Sequence, residues 1–284
     1  MENKLLAYYL NKFKRLRRDH KHGGAPHKPI LLLSIIQLID ENVISNNRIH
    51  ITPQLVAKFK DFWRILVNTP HNPNFSLPFF HLRSEGFWHL INKPGFEIAL
   101  TKSHSIRSFR NLKSAVNYAS FDDNLYKLLT EAENRELFKF TILEKYFPKA
   151  SNSYLNQKQY DIFQQHELEI LNEDPEIYIQ KIKSIEASMD AEEIEEERFI
   201  RNGAFREQVL KSYQYSCSIS GLSITSTANI SIIDACHIMP FSESYNDHIT
   251  NGIALCPNLH RAYDRGLLTF NDDYTVKISN DFIE

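Results

Sequence analysis

Residues 234–265 read DACHIMPFSESYNDHITNGIALCPNLHRAYDR, and this stretch decides the fold of the C-terminal part of the chain. An apolar segment leads to His237, an Asn-Gly pair closes the following loop, and His260 lies in a segment with helical spacing. Pro240 ends the first segment because proline has no N–H to donate to a strand ladder. The pattern predicts a strand, a loop and a helix, with His237 at the mouth of a hairpin.

The residue types in this stretch suit phosphodiester hydrolysis. That reaction needs an attacking water, a base that takes its proton and a cation that neutralises charge on the phosphate. A neutral imidazole suits the base because its pKa lies near the working pH. Either histidine alone is explained more simply as a hydrogen-bonded residue of a small core. Two histidines with Asn251 between them, in this order and spacing, favour a hydrolytic site.

The stretch resembles the HNH endonucleases, in which a hairpin and a helix surround one divalent metal ion in a ββα-metal fold. The resemblance rests on the segments DACH and NGIALCPNLH. It implies that His237 is the general base and that His260 binds the metal. Asn251 would hold the loop and either orient the base or touch the metal. The expected cofactor is one Mg²⁺ or Mn²⁺ ion per site.

The chain departs from this family at one metal-binding position. Many HNH enzymes carry a ligand immediately before the base, where this chain has Cys236. Asp234 is the nearest carboxylate and is the expected ligand. Asp264 lies four residues after His260, on the same helix face, and is a further ligand or a support for one. Asp234 and His237 point to opposite faces of an ideal strand, so we expect a twist or bulge between them.

The cysteines bear on a second metal. Many HNH proteins brace the hairpin with zinc bound by two CxxC pairs, but the corresponding segments here are CSIS and CPNL. Two thiolates do not complete a tetrahedral site, so no structural zinc is expected. Cys217 and Cys256 are predicted to be small buried apolar residues. The odd count of three cysteines does not suggest a secreted disulfide framework, so we expect a cytoplasmic protein.

Two arginines follow the last histidine. Arg261 and Arg265 are candidate contacts to DNA phosphates. The alternative is a surface ion pair between Arg261 and Asp264.

Charge divides the chain into two opposite halves. Residues 1–150 contain 23 lysines and arginines against 13 aspartates and glutamates, whereas residues 151–284 contain 10 against 22. A basic half suits a polyanion, because cationic side chains near phosphates release condensed counterions. A solvated basic surface without a partner is the alternative. The longest apolar run, PILLLSIIQLI, is too short to span a bilayer, so no membrane partner is expected.

The sequence predicts an α+β fold. A first helix ends near residue 20, a buried helix follows in APHKPILLLSIIQLIDEN, and FFHL and FWHL are predicted to pair as strands around a Ser-Glu-Gly turn. The acidic run at 192–198 is typical of a solvated helix face or linker. We expect a basic, helix-rich recognition domain with a small sheet at 1–150, a helical acidic connector at 151–198 and the HNH domain at 199–284.

The first half carries a second resemblance. GGAPHKPILLL, followed about fifty residues later by LPFFHL and GFWHL, is similar to the sulfur-binding domain of type IV restriction endonucleases. Those enzymes recognise DNA with a phosphorothioate in its backbone, and their sulfur-binding domain precedes an HNH nuclease. The similarity covers about the first 150 and the last 85 residues. It implies that double-stranded, phosphorothioated DNA is the partner.

Sulfur makes one face of a phosphate larger, softer and less hydrated, so its reader should combine an apolar hollow with cations. By the resemblance, Pro78 matches the proline of the family's cavity, although His81 is bulkier than the neighbour expected there. The hollow would be lined by Ala25, Pro26, Pro78, Phe79 and Phe80. Flanking phosphates would be held by His27, Lys28, His81 and Arg83, with Arg15, Arg17 and Arg18 as a more general basic patch. Plain sheet core is the alternative for most of the aromatic residues.

The expected function is a modification-dependent restriction endonuclease. One alternative keeps the HNH nuclease but has the first domain read a modified base, through an aromatic cage, or bind unmodified duplex DNA. Another is a non-cutting DNA-binding regulator with a degenerate HNH fold, which Cys236 at a ligand position favours. Cutting of two strands by a module with a single site would favour a homodimer.

Overall fold

A computed structural model describes residues 2–96, 106, 108–149, 161–225 and 231–280. The chain forms two compact units, Met1–Phe163 with Asp190–Ile200, and Gln164–Met189 with Arg201–Glu284. Residues of the expected connector are shared between the units. The functional boundaries at 150 and 198 stay a prediction.

The first unit is built of helices around one small antiparallel sheet. Its elements are α1 (Glu2–Lys14), α2 (His27–Asp40), α3 (Pro53–Leu66), α4 (Ser76–His81), β1 (Trp88–Asn92), α5 (Phe109–Ala115), β2 (Val116–Phe121), α6 (Asp123–Thr130) and α7 (Ala132–Tyr146). Short 3₁₀ helices lie at Lys21–Gly23 and Leu82–Glu85. The first helix ends at Lys14, earlier than residue 20.

Helix α2 is the centre of this unit, as its long apolar run predicts. Every residue from Lys28 to Ile39 is buried, and the helix packs against α3 and α7. A helix that is apolar on all sides needs neighbours on all sides. Strand β1 pairs with β2 from Trp88 opposite Phe121, and Ile49 adds a single bridge to Ala119.

The predicted pairing of FFHL with FWHL is wrong in its first half. SLPFFH forms α4, and only the second segment is a strand, β1, whose partner is β2. Phe75 and Phe79 are four residues apart, and their rings pack against each other in the core with a distance of 5.5 Å between the ring centroids. Pro78 is tolerated because it lies in the first turn of the helix, where the backbone N–H has no helical partner. Helical spacing of aromatic residues therefore overrides their strand propensity.

The acidic run at 192–198 is not the solvated face that its charge pattern predicts. Glu196 is 1% exposed, and its Oε1 accepts a hydrogen bond of 3.0 Å from the backbone N of Phe75. Glu192 Oε2 accepts one of 2.8 Å from the backbone N of Phe109. These carboxylates satisfy N–H groups at the beginnings of α4 and α5, where a helix leaves donors unpaired and favours negative charge.

The second unit carries the hairpin and helix of the HNH-like stretch. Among the described residues from 161 onwards, the helices and strands are α8 (Ile162–Asn172), α9 (Pro175–Ser188), α10 (Ala191–Ser212), β3 (Asp234–His237), α11 (Phe241–Ser244), β4 (Gly252–Leu255), α12 (Pro257–Asp264), β5 (Leu268–Phe270) and β6 (Val276–Ile278), with a short 3₁₀ helix at Ile249–Asn251. Helix α10 contributes residues to both units. Helices around small antiparallel sheets confirm the α+β fold class.

Strands β3 and β4 pair from Asp234 opposite Leu255 to His237 opposite Gly252. Gly252 is required because a Cβ there would lie 2.3 Å from Val209 Cγ2 and 3.1 Å from the ring of Phe205. The hairpin thus approaches helix α10 with its backbone.

Among the helices of the described residues, none combines the length and the apolar character needed to cross a membrane.

Candidate functional site

His237 ends strand β3 and is held from two directions. Its ring stacks on Phe205 at 4.2 Å with an interplanar angle of 1°. Its Nε2 lies 2.7 Å from Asp247 Oδ1, and 21% of the side chain is exposed. Within the described part of the chain, Nδ1 makes no hydrogen bond. A ring that donates from Nε2 keeps Nδ1 as its acceptor, the protonation state that a general base needs.

Asn251 clamps the loop that follows His237. Its Oδ1 accepts from the backbone N of Met239 at 2.8 Å, while Nδ2 donates to the carbonyl oxygens of Met239 and Asn246 at 2.9 and 2.8 Å. The amide thereby uses its acceptor and both donor hydrogens. This arrangement agrees with the expected loop-holding role, and the same loop carries Asp247.

His260, on α12, lies between the two predicted carboxylates. Its Nδ1 is 3.1 Å from Asp234 Oδ2, and its Nε2 is 3.4 Å from Asp264 Oδ2. Carboxylate oxygens and an imidazole nitrogen are donors that a divalent ion such as Mn²⁺ accepts, and Mg²⁺ takes the oxygens. Among the residues described, no three His, Cys, Asp or Glu side chains already converge on one point. The donor types fit a divalent metal, while His260 directs its ring nitrogens at the carboxylates.

The expected bulge between Asp234 and His237 is absent. The β3–β4 register runs without a shift through both residues. Asp234 contacts His260, whereas His237 contacts Asp247 and Phe205. A regular strand sends residues three apart to opposite faces, so the two side chains take different partners.

Cysteines occupy buried positions around the hairpin. Burial, reinforced by Asp234 and Asp264, raises the pKa of the Cys236 thiol to about 12. Cys217 and Cys256 are 2% and 8% exposed, as predicted. Burial opposes ionisation of Cys217, but hydrogen bonds, first from Ser220, lower its pKa to about 7.

Arg261 and Arg265 are exposed around the end of α12. The structure pairs Asp264 with His260, and no Arg261–Asp264 ion pair is found within the described residues. Both guanidinium groups are therefore accessible to a phosphate.

The first unit contains a cavity of about 570 Å³ where the segment before α2 meets α4. It is lined by Arg17, Arg18, Asp19, Ala25, His27, Lys28, His71, Leu77, Pro78, His81 and Ser84. Two segments far apart in sequence are thus brought together, as the resemblance implies. Sequence reasoning missed Asp19, His71, Leu77 and Ser84, for which the chain offers no separate motif.

The cations of this cavity are not equivalent. Lys28 is buried and bonded to Glu85 and, at 2.9 Å, to Ser84, and burial lowers its pKa. Arg18 donates to the carbonyl oxygens of Gly24 and Ala25, each at 3.3 Å. Arg17 is exposed. The accessible positive charge therefore resides on Arg17 more than on Lys28.

His27 presents a neutral ring to the cavity. Its Nε2 lies 2.9 Å from the carbonyl oxygen of Asn72, and its ring packs edge-on against Trp63 at 4.7 Å. Burial lowers its pKa. His27 is therefore a hydrogen-bonding group at neutral pH rather than a cation.

Four of the predicted DNA contacts lie elsewhere. Phe79 and Phe80 are 0% exposed and belong to the core, so they do not line the hollow, and their assignment as DNA contacts is wrong. Pro26 is buried and lines a separate cavity of about 190 Å³. Arg83 lies outside the 570 Å³ cavity, 3.9 Å over the ring of Phe80.

Two segments of the chain match known protein families. Residues 7–158, more than half of the chain, match the family described as ScoMcrA-like, DNA sulfur-binding domain. The chain belongs to this sulfur-binding family. Residues 217–271 match an HNH endonuclease family, which generally uses a divalent metal ion. The sequence prediction of a sulfur-binding domain followed by an HNH nuclease is confirmed.

The comparisons with curated proteins and with solved structures give less information about this chain. No curated protein matches this member of the sulfur-binding family. Five chains of solved structures match. One of them is described as the type IV phosphorothioation-dependent restriction endonuclease ScoMcrA; it has 12% identity, with 89% of this chain and 81% of that chain covered, and a TM-score of 0.36. That TM-score is too low to compare the two folds.

Proposed function

We propose that the 570 Å³ cavity reads the sulfur of phosphorothioated double-stranded DNA and that the β3–β4 hairpin with α12 cuts the same DNA. The cavity carries the proposal, because it joins the apolar side chains of Ala25, Leu77 and Pro78 to the exposed Arg17 within the matched sulfur-binding domain. An apolar wall suits the weakly hydrated sulfur, and a guanidinium suits the remaining phosphate charge.

Asp234, His260 and Asp264 are the residues that would hold one Mg²⁺ or Mn²⁺ ion. Such an ion supplies positive charge for the scissile phosphate and the leaving oxygen. A histidine ligand uses one ring nitrogen for the metal and gives the other to a carboxylate. His260 has a carboxylate at each nitrogen, so one acidic residue would join it as a ligand while the other orients its ring.

The roles of the remaining residues follow from their contacts. His237 Nδ1 takes the proton of the attacking water, because Nε2 is engaged by Asp247. Asn251 keeps the loop between the strands in place. Arg261 and Arg265 bind phosphates beside the cut.

The test compares two duplexes of identical sequence, one with phosphorothioate linkages and one without, incubated with Mg²⁺ or Mn²⁺. We expect cutting of the sulfur-bearing duplex, and His237→Ala should lower its rate by roughly 10²- to 10⁴-fold. His50→Ala is the control, because His50 is an exposed histidine of the first unit. Equal cutting of both duplexes overturns sulfur reading, and preference for a duplex with a modified base identifies a base reader. Absence of cutting by wild type and His237→Ala alike identifies a non-cutting binder.

Cutting both strands of a duplex with one HNH site per chain favours two chains, so we propose a homodimer on DNA. Light scattering of the protein with a phosphorothioated duplex should give the mass of two chains. A one-chain complex that nevertheless cuts both strands contradicts this. We also propose a cytoplasmic location, which a DNA substrate supports.

A further inference from the structure

We infer that Asp247 is a positioning residue for His237 and that Arg201 and Glu186 form the buried ion pair that holds Asp247 in place. The inference rests on the proposed role of His237 as the base. It extends that role to a set of side chains on α9, α10 and the loop before β4.

Asp247 divides its two oxygens between two partners. Its side chain is 1% exposed, with Oδ1 2.7 Å from His237 Nε2 and Oδ2 3.3 Å from Arg201 Nη1. A buried carboxylate is costly unless it is hydrogen-bonded and paired with a cation. Both conditions hold here, so the loop delivers a fixed anion to one defined atom of the imidazole.

Arg201 is held from its other side. The residue is 1% exposed, and Nη2 lies 2.5 Å from Glu186 Oε1. Its guanidinium also lies 5.3 Å from the ring of Phe241. A planar guanidinium with two carboxylate partners has little freedom to move. Arg201 therefore fixes the position of the Asp247 carboxylate.

Asp247 also selects the tautomer. A carboxylate only accepts hydrogen bonds, so it requires the proton on Nε2 and leaves Nδ1 as the base. An asparagine in its place can instead donate its amide hydrogen to Nε2 and move the proton to Nδ1. A carboxylate that holds a histidine tautomer in a catalytic triad is worth about 10⁴ in kcat.

Asp247→Asn should therefore lower kcat on phosphorothioated DNA by roughly 10²- to 10⁴-fold with little change in KM. In the His237→Ala background the same substitution should have no further effect, because Asp247 acts through the ring. The control is Asp272→Asn, at an exposed aspartate of the second unit. A kcat of Asp247→Asn within about threefold of wild type, or an equal loss in the His237→Ala background, overturns the inference.

Nitrogen-15 spectra of histidine-labelled full-length protein test the tautomer without any cleavage. The wild type should show His237 protonated at Nε2, with the signals identified by their loss in His237→Ala. Protonation at Nδ1 in the neutral ring overturns the inference even if Asp247→Asn does not fold. If wild type cuts no DNA, the proposed function fails, and these spectra still decide whether Asp247 holds the ring.

Glu186→Gln tests the support of Asp247 with a milder change. Weakening the contact that holds Arg201 should lower kcat with little change in KM. An unchanged kcat contradicts a role for this ion pair.

Discussion

The two candidate sites differ in how their residues are distributed along the chain and in how fully those residues are satisfied. The proposed nuclease residues lie within 234–264 and bond to one another or to their loop. The cavity is assembled from 17–28 and 71–84, and it leaves Arg17 exposed beside an apolar wall. A catalyst needs its groups held before the substrate arrives. A reader needs an accessible surface, which the cavity provides.

The largest effect on stability and cutting should come from a substitution that disturbs the proposed nuclease site. Gly252→Ala places a methyl group 2.3 Å from Val209 Cγ2, and such overpacking costs about 1–3 kcal/mol. We expect a lower free energy of unfolding for the second unit and slower cutting, measured by denaturant melts and cleavage assays. Adding Val209→Ala should restore much of both, because it removes the colliding atom. Failure of the double variant to recover would show that the missing Cβ is not the reason for glycine.

The apolar wall of the cavity should affect the affinity for phosphorothioated DNA and not the affinity for ordinary DNA. Leu77→Asn replaces an apolar side chain by a polar one of similar size, so Kd for a phosphorothioated duplex should rise by about tenfold. Kd for the ordinary duplex should stay unchanged, as titrations of both duplexes will show. Leu137→Asn, at an exposed leucine of α7, is the control. An equal loss on both duplexes would contradict a role in reading sulfur.

A buried acid in the first unit contrasts with the paired Asp247 of the second. Burial raises the pKa of Asp61 to about 7, and within the described residues Oδ2 has no hydrogen bond. An unfolded aspartate ionises near pH 4, so the native state keeps a proton between about pH 4 and 7. Stability from Asp61 is therefore lost as pH rises through about 7.

Asp61→Asn should remove this dependence and reduce the fall in Tm between about pH 5 and 8 by a few degrees. Thermal melts at both pH values measure it. Glu133→Gln, at an exposed acid of α7, should leave the fall unchanged. An Asp61→Asn protein that keeps the full wild-type fall would show that Asp61 is ionised throughout.

The smallest effect should come from the exposed cation. Arg17→Ala should raise Kd for both duplexes by a similar few-fold factor and reduce the slope of log Kd against log salt by about 0.9, the value for one phosphate contact. Lys127→Ala, an exposed lysine of α6, should leave the slope unchanged. Selective loss of the sulfur-bearing duplex would place Arg17 at the sulfur itself.

The distribution of residues also explains what the sequence predicted. His237, Asn251 and His260 lie in one short motif, so their order and spacing indicated the hairpin and helix directly. Asp247 was missed because a lone acid in a loop has no pattern, although it lies between two of these residues. Arg201 was missed because the pairing that buries it depends on tertiary contacts with α9.

The cavity was predicted less completely for the same physical reason. Ala25, His27 and Pro78 were found from the resemblance, and they do line the cavity. Phe79 and Phe80 were placed on the surface because an aromatic run does not reveal which face is buried. Once SLPFFH is a helix, the side chains of its aromatic residues turn into the core and leave Pro78 and His81 at the cavity.

The buried support of His237 has a consequence for exchanging nuclease modules between related proteins. The matched HNH segment, 217–271, omits Phe205, Arg201 and Glu186. A graft cut at those limits would carry the base and its loop but not the aromatic platform or the ion pair beneath them. The second compact unit consists of Gln164–Met189 and Arg201–Glu284, so it includes α9 and the second part of α10, and a continuous graft from Gln164 also carries Asp190–Ile200 of the first unit.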